Sequence, residues 1–418
     1  MQVPLHGLFP RLAWATFAAA WMLALAGAAP EDSRIRFSTN FEGGSLGTIE
    51  AVSETEFRCH VKGQQDEHGR NRQASWFSFR IDGARGRDLT IVMTDFVGEY
   101  NEKPGACPMG PEIIPVFSND GVSWSGIPDV SWDERTKEAT LRIRPERNSI
   151  WIAHQQPYTP RQLSQLLEQV DRADDARIEV IGRTAQGRDL HLVTVTSEDV
   201  PDRDKVTVWL QARQHAWESG TSYVMEGALR FVTSDDPKAL ALRKKAIFKF
   251  TPMVDPDGSA TGQVRFNANG FDVNRHWDEV DLRRKRDLRL MPEIWYVKKA
   301  ISSYVDTGRT IDLMVNLHNT ETGEYIQTHA GDDAARARVV KFSDRLIQET
   351  AFQPSHGPIL GAKQDGTANV LHAQKGILIM LMELRIAKDP RTGKPPTAAD
   401  RLDFGTRLIQ IMAESVIP

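Results

Sequence analysis

Three apolar runs in this chain each end on a side chain suited to metal binding or proton transfer. Val206-Thr-Val-Trp-Leu-Gln-Ala-Arg213 leads directly into His215-Ala-Trp-Glu218. Asp312-Leu-Met-Val-Asn-Leu-His318 ends on a histidine, and Gly376-Ile-Leu-Ile-Met-Leu-Met-Glu383 ends on a carboxylate. Runs of this kind read as strands buried on both faces, and in open α/β sheets the chemistry collects beyond the carboxyl ends of such strands. An imidazole and a carboxylate three residues apart reach one divalent ion from a single turn. Alone, the pair says little in a chain with 11 histidines. Joined by His318, it makes a set of two histidines and one carboxylate with an open fourth position, the arrangement of catalytic rather than structural zinc.

The rest of the chain shows two patterns. Between residues 35 and 147 the apolar segments are short. Trp76-Phe-Ser-Phe-Arg-Ile81 alternates apolar with polar, Leu89-Thr-Ile-Val-Met93 is continuous, and Ala139-Thr-Leu-Arg-Ile143 alternates again, with Asp82-Gly83 and Asn119-Asp-Gly121 as turns. This predicts a small antiparallel β-sandwich as an N-terminal domain over 34–150. From Thr159 onward strands alternate with helices. Thr159 as cap and Pro160 in the first turn open a helix through 162–170. Strands are expected at 189–196, 206–212, 247–253, 312–317 and 377–384, and helices at 222–232, 292–305, 334–349 and 398–416. The fold class is therefore α/β, with a mixed sheet flanked by helices over 155–418.

A length of 418 residues allows two domains with ample burial. The net charge of −4 and the lack of a long basic stripe predict no nucleic-acid partner. Arg283-Arg-Lys-Arg286 is the one basic cluster and reads as a solvated turn. At the N-terminus, His6 and Arg11 precede an apolar stretch from Leu12 to Ala28 that closes on Ala26-Gly-Ala28, with polar Glu31-Asp-Ser33 after it. This is the pattern of a signal peptide over 1–28, and it predicts a secreted or periplasmic protein with no stable membrane association after cleavage. The competing reading is an uncleaved anchor, for which the stretch is slightly short. Whether Cys59 and Cys107 pair in an oxidising compartment depends on their separation.

Between the metal-binding runs lie Thr251-Pro-Met-Val-Asp-Pro-Asp-Gly258, Arg265 and Gly270-Phe-Asp-Val-Asn-Arg275. Here the chain resembles the M14 zinc carboxypeptidases, and more closely their cytosolic carboxypeptidase-like branch. That branch carries a similar Asn-Pro-Asp-Gly turn, an arginine a short way on, and Asp-Leu-Asn-Arg after a further loop. Asp255 stands for the first Asn and Val273 for the Leu. Trp151-Ile-Ala-His-Gln-Gln-Pro-Tyr-Thr159 resembles the family's junction between N-terminal and catalytic domains. The resemblance spans roughly residues 38–416. It implies a sandwich followed by a zinc-carboxypeptidase-like sheet, one zinc per chain, and a peptide or protein C-terminus as substrate.

The residue types alone support the same chemistry. Zinc held by His215, Glu218 and His318 polarises a carbonyl and lowers the pKa of its water to about 7. Glu383 is the expected general base and Arg265 the expected oxyanion donor. Asn274 and Arg275 suit a free carboxylate, since a guanidinium fork matches two oxygens. On type alone Asn274-Arg275 also suits a turn cap, and Arg265 a surface ion pair. His154, His191, His329, His356 and His372 are expected to be non-ligands, and His276 to border the pocket. The resemblance fails at one loop. Between Gly357 and Lys375 there is no tyrosine to close over the substrate, so either another residue such as Tyr325 from a different loop takes that place or the contact is absent. Gly366-Thr-Ala-Asn369 stands where the deglutamylating branch has an arginine, leaving Lys363 or Lys375 as the nearby cations. The expected activity is hydrolysis of the C-terminal peptide or isopeptide bond. Alternatives are a peptidoglycan-peptide carboxypeptidase, an N-acyl amino acid amidohydrolase, and an inactive zinc-binding interaction protein.

Overall fold

The computed structural model describes residues 34–329, 331–361 and 366–418, so the expected signal peptide and Lys363 lie outside it. Residues Ile35–Pro418 form one compact unit. Its N-terminal part holds two five-stranded sheets. One runs Arg36–Ser38, Ser78–Asp82, Ser149–Ala153, Val116–Ser118, Trp124–Gly126; the other runs Asp129–Asp133, Glu138–Ile143, Leu89–Thr94, Glu56–His60, Ile49–Ala51. All pairs are antiparallel except Glu56–His60 with Leu89–Thr94, which is parallel. The two inner faces bury Phe57, Phe77, Phe79, Ile91, Leu141 and Ile152 in one core, as alternating strands require. Both cysteines are unpaired. Cys59 is buried in this core, which pushes its thiol up to about 12, and Cys107 Sγ donates to Met109 O (3.4 Å).

The helix Pro160–Val170 follows, with Thr159 N–H donating to Gln162 Oε1 (2.7 Å) at its start. Leu163, Leu166, Leu167 and Val170 recur at helical spacing and are its buried residues. Beyond it lies an eight-stranded sheet in the order Ala176–Arg183, Asp189–Val195, Ala246–Thr251, Val206–Ala212, Leu313–Thr320, Ile379–Arg385, Tyr325–Thr328, Ile359–Leu360. The four strands from Ala246–Thr251 to Ile379–Arg385 are parallel and almost wholly buried. From Val206–Ala212 the chain passes to one neighbour, Ala246–Thr251, and later to the other, Leu313–Thr320. The order therefore reverses at Val206–Ala212, and such a reversal opens a crevice at the carboxyl ends of the strands. On the sheet, helices Ser219–Val232 and Ala398–Glu414 pack against each other. No helix among the described residues is long and apolar enough to cross a membrane.

Candidate active site

The chain leaves Val206–Ala212 through a sharp turn. Arg213 has a left-handed backbone (φ 59°), a conformation a bulky residue keeps only where its surroundings hold it. Its buried guanidinium donates to Tyr158 O (3.0 Å), Ala216 O (2.6 Å), Ser222 Oγ (3.1 Å) and Ser259 Oγ (2.8 Å). Burial lowers its pKa to about 10, so it stays cationic at neutral pH. This turn sets His215 and Glu218 against His318. Glu218 is the N-cap of Ser219–Val232 but makes no capping bond with its side chain. The carboxylate is instead turned toward the two imidazoles.

His215 Nδ1 lies 2.8 Å from Glu218 Oε1, His318 Nδ1 lies 3.0 Å from Glu218 Oε2, and the ring centroids are 5.0 Å apart. One ligand atom from each residue falls within 4.8 Å of the others, in the only such group of three among the described residues. The approach to Oε2 is not aligned as a hydrogen bond, and that oxygen has no partner. A buried carboxylate oxygen left so is costly. Two imidazole nitrogens and a carboxylate are a zinc donor set, and a cation among them satisfies the orphaned oxygen. Burial opposes the Glu218 charge, yet His318 and His215 bring its pKa down to about 2.

Behind the ligands stand groups that orient them. His215 Nε2 is 3.1 Å from Asp272 Oδ1, while Asp272 Oδ2 accepts from Arg265 Nε (2.7 Å). A carboxylate in that place holds the proton on Nε2 and leaves Nδ1 for a metal. Despite burial, Arg265 and His215 keep Asp272 well below the usual carboxylate range. His318 Nε2 meets the side-chain amides of Asn316 (3.0 Å) and Asn274 (3.4 Å). Below this level are two further buried acids, Asp255 and Glu293, each with one unpartnered oxygen. Burial pushes both pKa values up; Asp257 adds to the effect on Asp255, and Asp255 to that on Glu293.

Glu383 is the direct strand neighbour of His318. Tyr325 is the partner of Glu383 across the adjoining strand, and Glu383 Oε2 has no hydrogen-bond partner. Burial, then the charges of Glu218 and Glu321, raise its pKa well above the ordinary value. A divalent cation beside it acts in the opposite direction. Tyr325 thus belongs to a strand, Tyr325–Thr328, and not to the loop expected from sequence. Asn274 is buried, and its Oδ1 accepts from Thr367 N–H (3.2 Å) and Oγ (3.1 Å). Arg275 Nη1 donates to Asn274 O (2.9 Å). His276 pairs with Glu279 (3.1 Å), and His329 lies against His372 with the ring planes tilted by 59°, outside the cluster. Asp272 and Glu321 went unread in the sequence. Asp272 had a signal, because it alternates with Asn274 in the quoted motif.

Sandwich, mixed sheet and a His-Glu-His cluster at the reversal point define a zinc-hydrolase architecture. The zinc carboxypeptidase family (peptidase M14) matches residues 163–332, and the cytosolic carboxypeptidase N-terminal domain matches 37–154. The chain therefore carries a peptidase M14 zinc carboxypeptidase domain behind a cytosolic carboxypeptidase N-terminal domain, and that family of peptidases uses one zinc. It is 27% identical to an uncharacterized protein of Zymomonas mobilis over 289 residues, 69% of this chain and 68% of that one. It is 28% identical to mouse cytosolic carboxypeptidase 6 over 310 residues, 70% of this chain but only 54% of that protein, so it spans about half the length of that relative. Among solved structures, a metallo-carboxypeptidase from Burkholderia cenocepacia superposes with a TM-score of 0.79 at 23% identity, covering 92% of this chain and 99% of the other. One from Pseudomonas aeruginosa, in complex with (2-guanidinoethylmercapto)succinic acid, gives 0.76 at 21%, covering 91% and 98%. At these identities the likeness is one of fold.

Proposed function

We propose that this chain removes C-terminal residues from peptides or proteins, cutting a peptide or isopeptide bond with Glu383 as general base. The observation that carries the reading is Glu383 beside His318 where His215, Glu218 and His318 converge. Bound zinc supplies a Lewis acid and an ionisable water there. Glu383 takes a proton from the attacking water and returns it to the leaving amine. Arg265, tied to Asp272 through Nε alone, keeps its terminal N–H groups for the oxygen on which charge develops. Arg275, beside Asn274, receives the free carboxylate as a fork. We also propose export through residues 1–28, which brings peptidoglycan-derived peptides within reach of the same chemistry.

The clamp makes a direct test. Peptides with a free C-terminus are expected to be cut far faster than amidated ones, since the lost charge-assisted contact is worth roughly 1.5–3 kcal/mol. Equal cleavage of the two would instead indicate an endopeptidase or amidase. The same peptides read specificity. Asn369 occupies the place of the arginine that holds acidic side chains, and a neutral amide does not offset the desolvation of a carboxylate as a guanidinium does. Lys375 is engaged with Asp306 (2.8 Å). Values of kcat/KM for peptides ending in Glu, Ala, Leu and Lys are expected to show no Glu preference above about tenfold, roughly 1.4 kcal/mol. A larger preference would place another cation in the pocket.

A further inference from the structure

One side chain of the sandwich is locked onto the segment that carries Arg265. Gln64 Oε1 accepts three consecutive backbone N–H groups, from Val264 (3.0 Å), Arg265 (2.7 Å) and Phe266 (2.9 Å), and its Nε2 donates back to Phe266 O (2.6 Å). Three N–H groups converging on one oxygen form a concave nest. No regular secondary structure holds these backbone groups in place. The segment is short and irregular, paired with its own return only at a bridge between Phe266 and Asp272. The return is gripped as well. Glu67 N–H donates to Gly270 O (3.1 Å), and at Gly270 (φ 88°) a Cβ would lie 2.5 Å from Glu67 N. Only glycine permits that approach.

Gln64 is itself held firmly. Its backbone N–H and C=O pair with those of Gln73 at 2.7 Å each way. Arg72, next to Gln73, donates to Val61 O (2.5 Å), Asp95 O (3.0 Å) and Val97 O (3.1 Å), drawing the loop onto the sandwich. A continuous path therefore runs from the sandwich through Gln64 to the Arg265 backbone, from the Arg265 guanidinium to Asp272, and from Asp272 to the ligand His215.

We propose that Gln64 is a positioning residue of the active site, through which the N-terminal sandwich sets the place of Arg265. The proposal rests on Arg265 acting at the developing oxyanion, as argued above. A donor there works only when aimed at the position that the oxyanion will occupy. A backbone freed by a few tenths of an ångström loses that aim while leaving the metal ligands in place. The sandwich is then a part of the catalytic apparatus rather than an appended module.

The test uses the full chain loaded with zinc and a free-acid peptide. Gln64→Met keeps the length and removes both the acceptor and the donor. Gln64→Glu restores the threefold acceptor. Gln64→Met is expected to lower kcat at least about tenfold, with KM changed less than about threefold and zinc content unchanged, and Gln64→Glu to recover most of the loss. In an Arg265→Ala background, Gln64→Met should have no further effect on kcat, because residues acting as one unit are not additive. A wild-type kcat in folded Gln64→Met overturns the proposal, as does an equal slowing in both backgrounds. Should Gln64→Met fail to fold, Gln64→Ala, which also removes the acceptor, is compared in the two backgrounds on the same criterion. An Arg265→Ala variant as fast as wild type removes the oxyanion reading itself, and a wild-type protein that cuts no peptide removes the proposed activity.

Discussion

Asp255 shows how one substitution reshapes a buried level of the site. Where the resembling branch carries Asn, this chain has an acid whose Oδ1 caps Gly258 N–H (2.9 Å) and whose Oδ2 has no partner. It lies electrostatically coupled to Glu293, which also has one free oxygen and accepts from Asn267 Nδ2 (2.8 Å). Besides Glu293, the charged and titratable groups bearing on Asp255 include Asp257, Arg213 and His215. Asp257 is itself held by Arg188 (2.8 Å). Two acids at this depth are stable when protonated, and a neutral carboxylic acid presents one donor and one acceptor much as an amide does. Because the folded pKa values are raised, the stabilisation is complete below the unfolded value of about 4 and is lost as pH climbs through the folded values. Asp255→Asn is therefore expected to melt a few °C above wild type at pH 9, with the gap closing toward pH 5. Thermal denaturation across that range checks it; a gap independent of pH would show that the acid is ionised throughout.

At the scale of elements, the helices Ser219–Val232 and Ala398–Glu414 meet almost backbone to backbone. A Cβ on Gly227 would lie 2.0 Å from Leu402 O, and one on Gly405 1.9 Å from Val224 O. Gly405→Ala is expected to cost about 1–3 kcal/mol by overpacking, read as a fall in thermal midpoint. An unchanged midpoint would mean that the helices part freely. The strands that carry the site were legible because each is a continuous apolar run ending on a polar residue. Their ends were less so. Leu313–Thr320 passes beyond His318 because it pairs with Ile379–Arg385 as far as Thr320 with Arg385. The helix expected from 222 begins at Ser219, with Glu218 as a cap through its backbone alone, its C=O accepting from Thr221 N–H (3.1 Å). Ala176–Arg183 was missed although Ala176-Arg-Ile-Glu-Val180 alternates apolar with polar, the pattern of a strand with one solvated face. The parallel pair in the sandwich left no trace, as alternation is the same in either direction. Gln64 acts across some 200 residues of sequence, which a local pattern does not record.

Over the whole molecule, sandwich and catalytic sheet share a core. Trp217, Val264, Ile386 and Ala387 from the catalytic part are buried in the same cluster as Phe77, Ile91 and Ile152. Trp217 stands between the two ligands of the first motif, and Val264 precedes Arg265. The interface therefore lies against the segments that carry the candidate zinc ligands and Arg265. The three candidate zinc ligands and Glu383 lie at the carboxyl ends of two adjacent strands, Leu313–Thr320 and Ile379–Arg385, and on the turn after a third. On the proposed mechanism, what distinguishes an enzyme from an inert zinc site in this arrangement is Glu383. The most direct measurement is turnover of a free-acid peptide by Glu383→Gln, a change that keeps volume and removes the base, alongside zinc content by elemental analysis. The expected result is stoichiometric zinc with turnover at least about 10²-fold below wild type. Turnover close to wild type with zinc in place would contradict the account and put the base elsewhere.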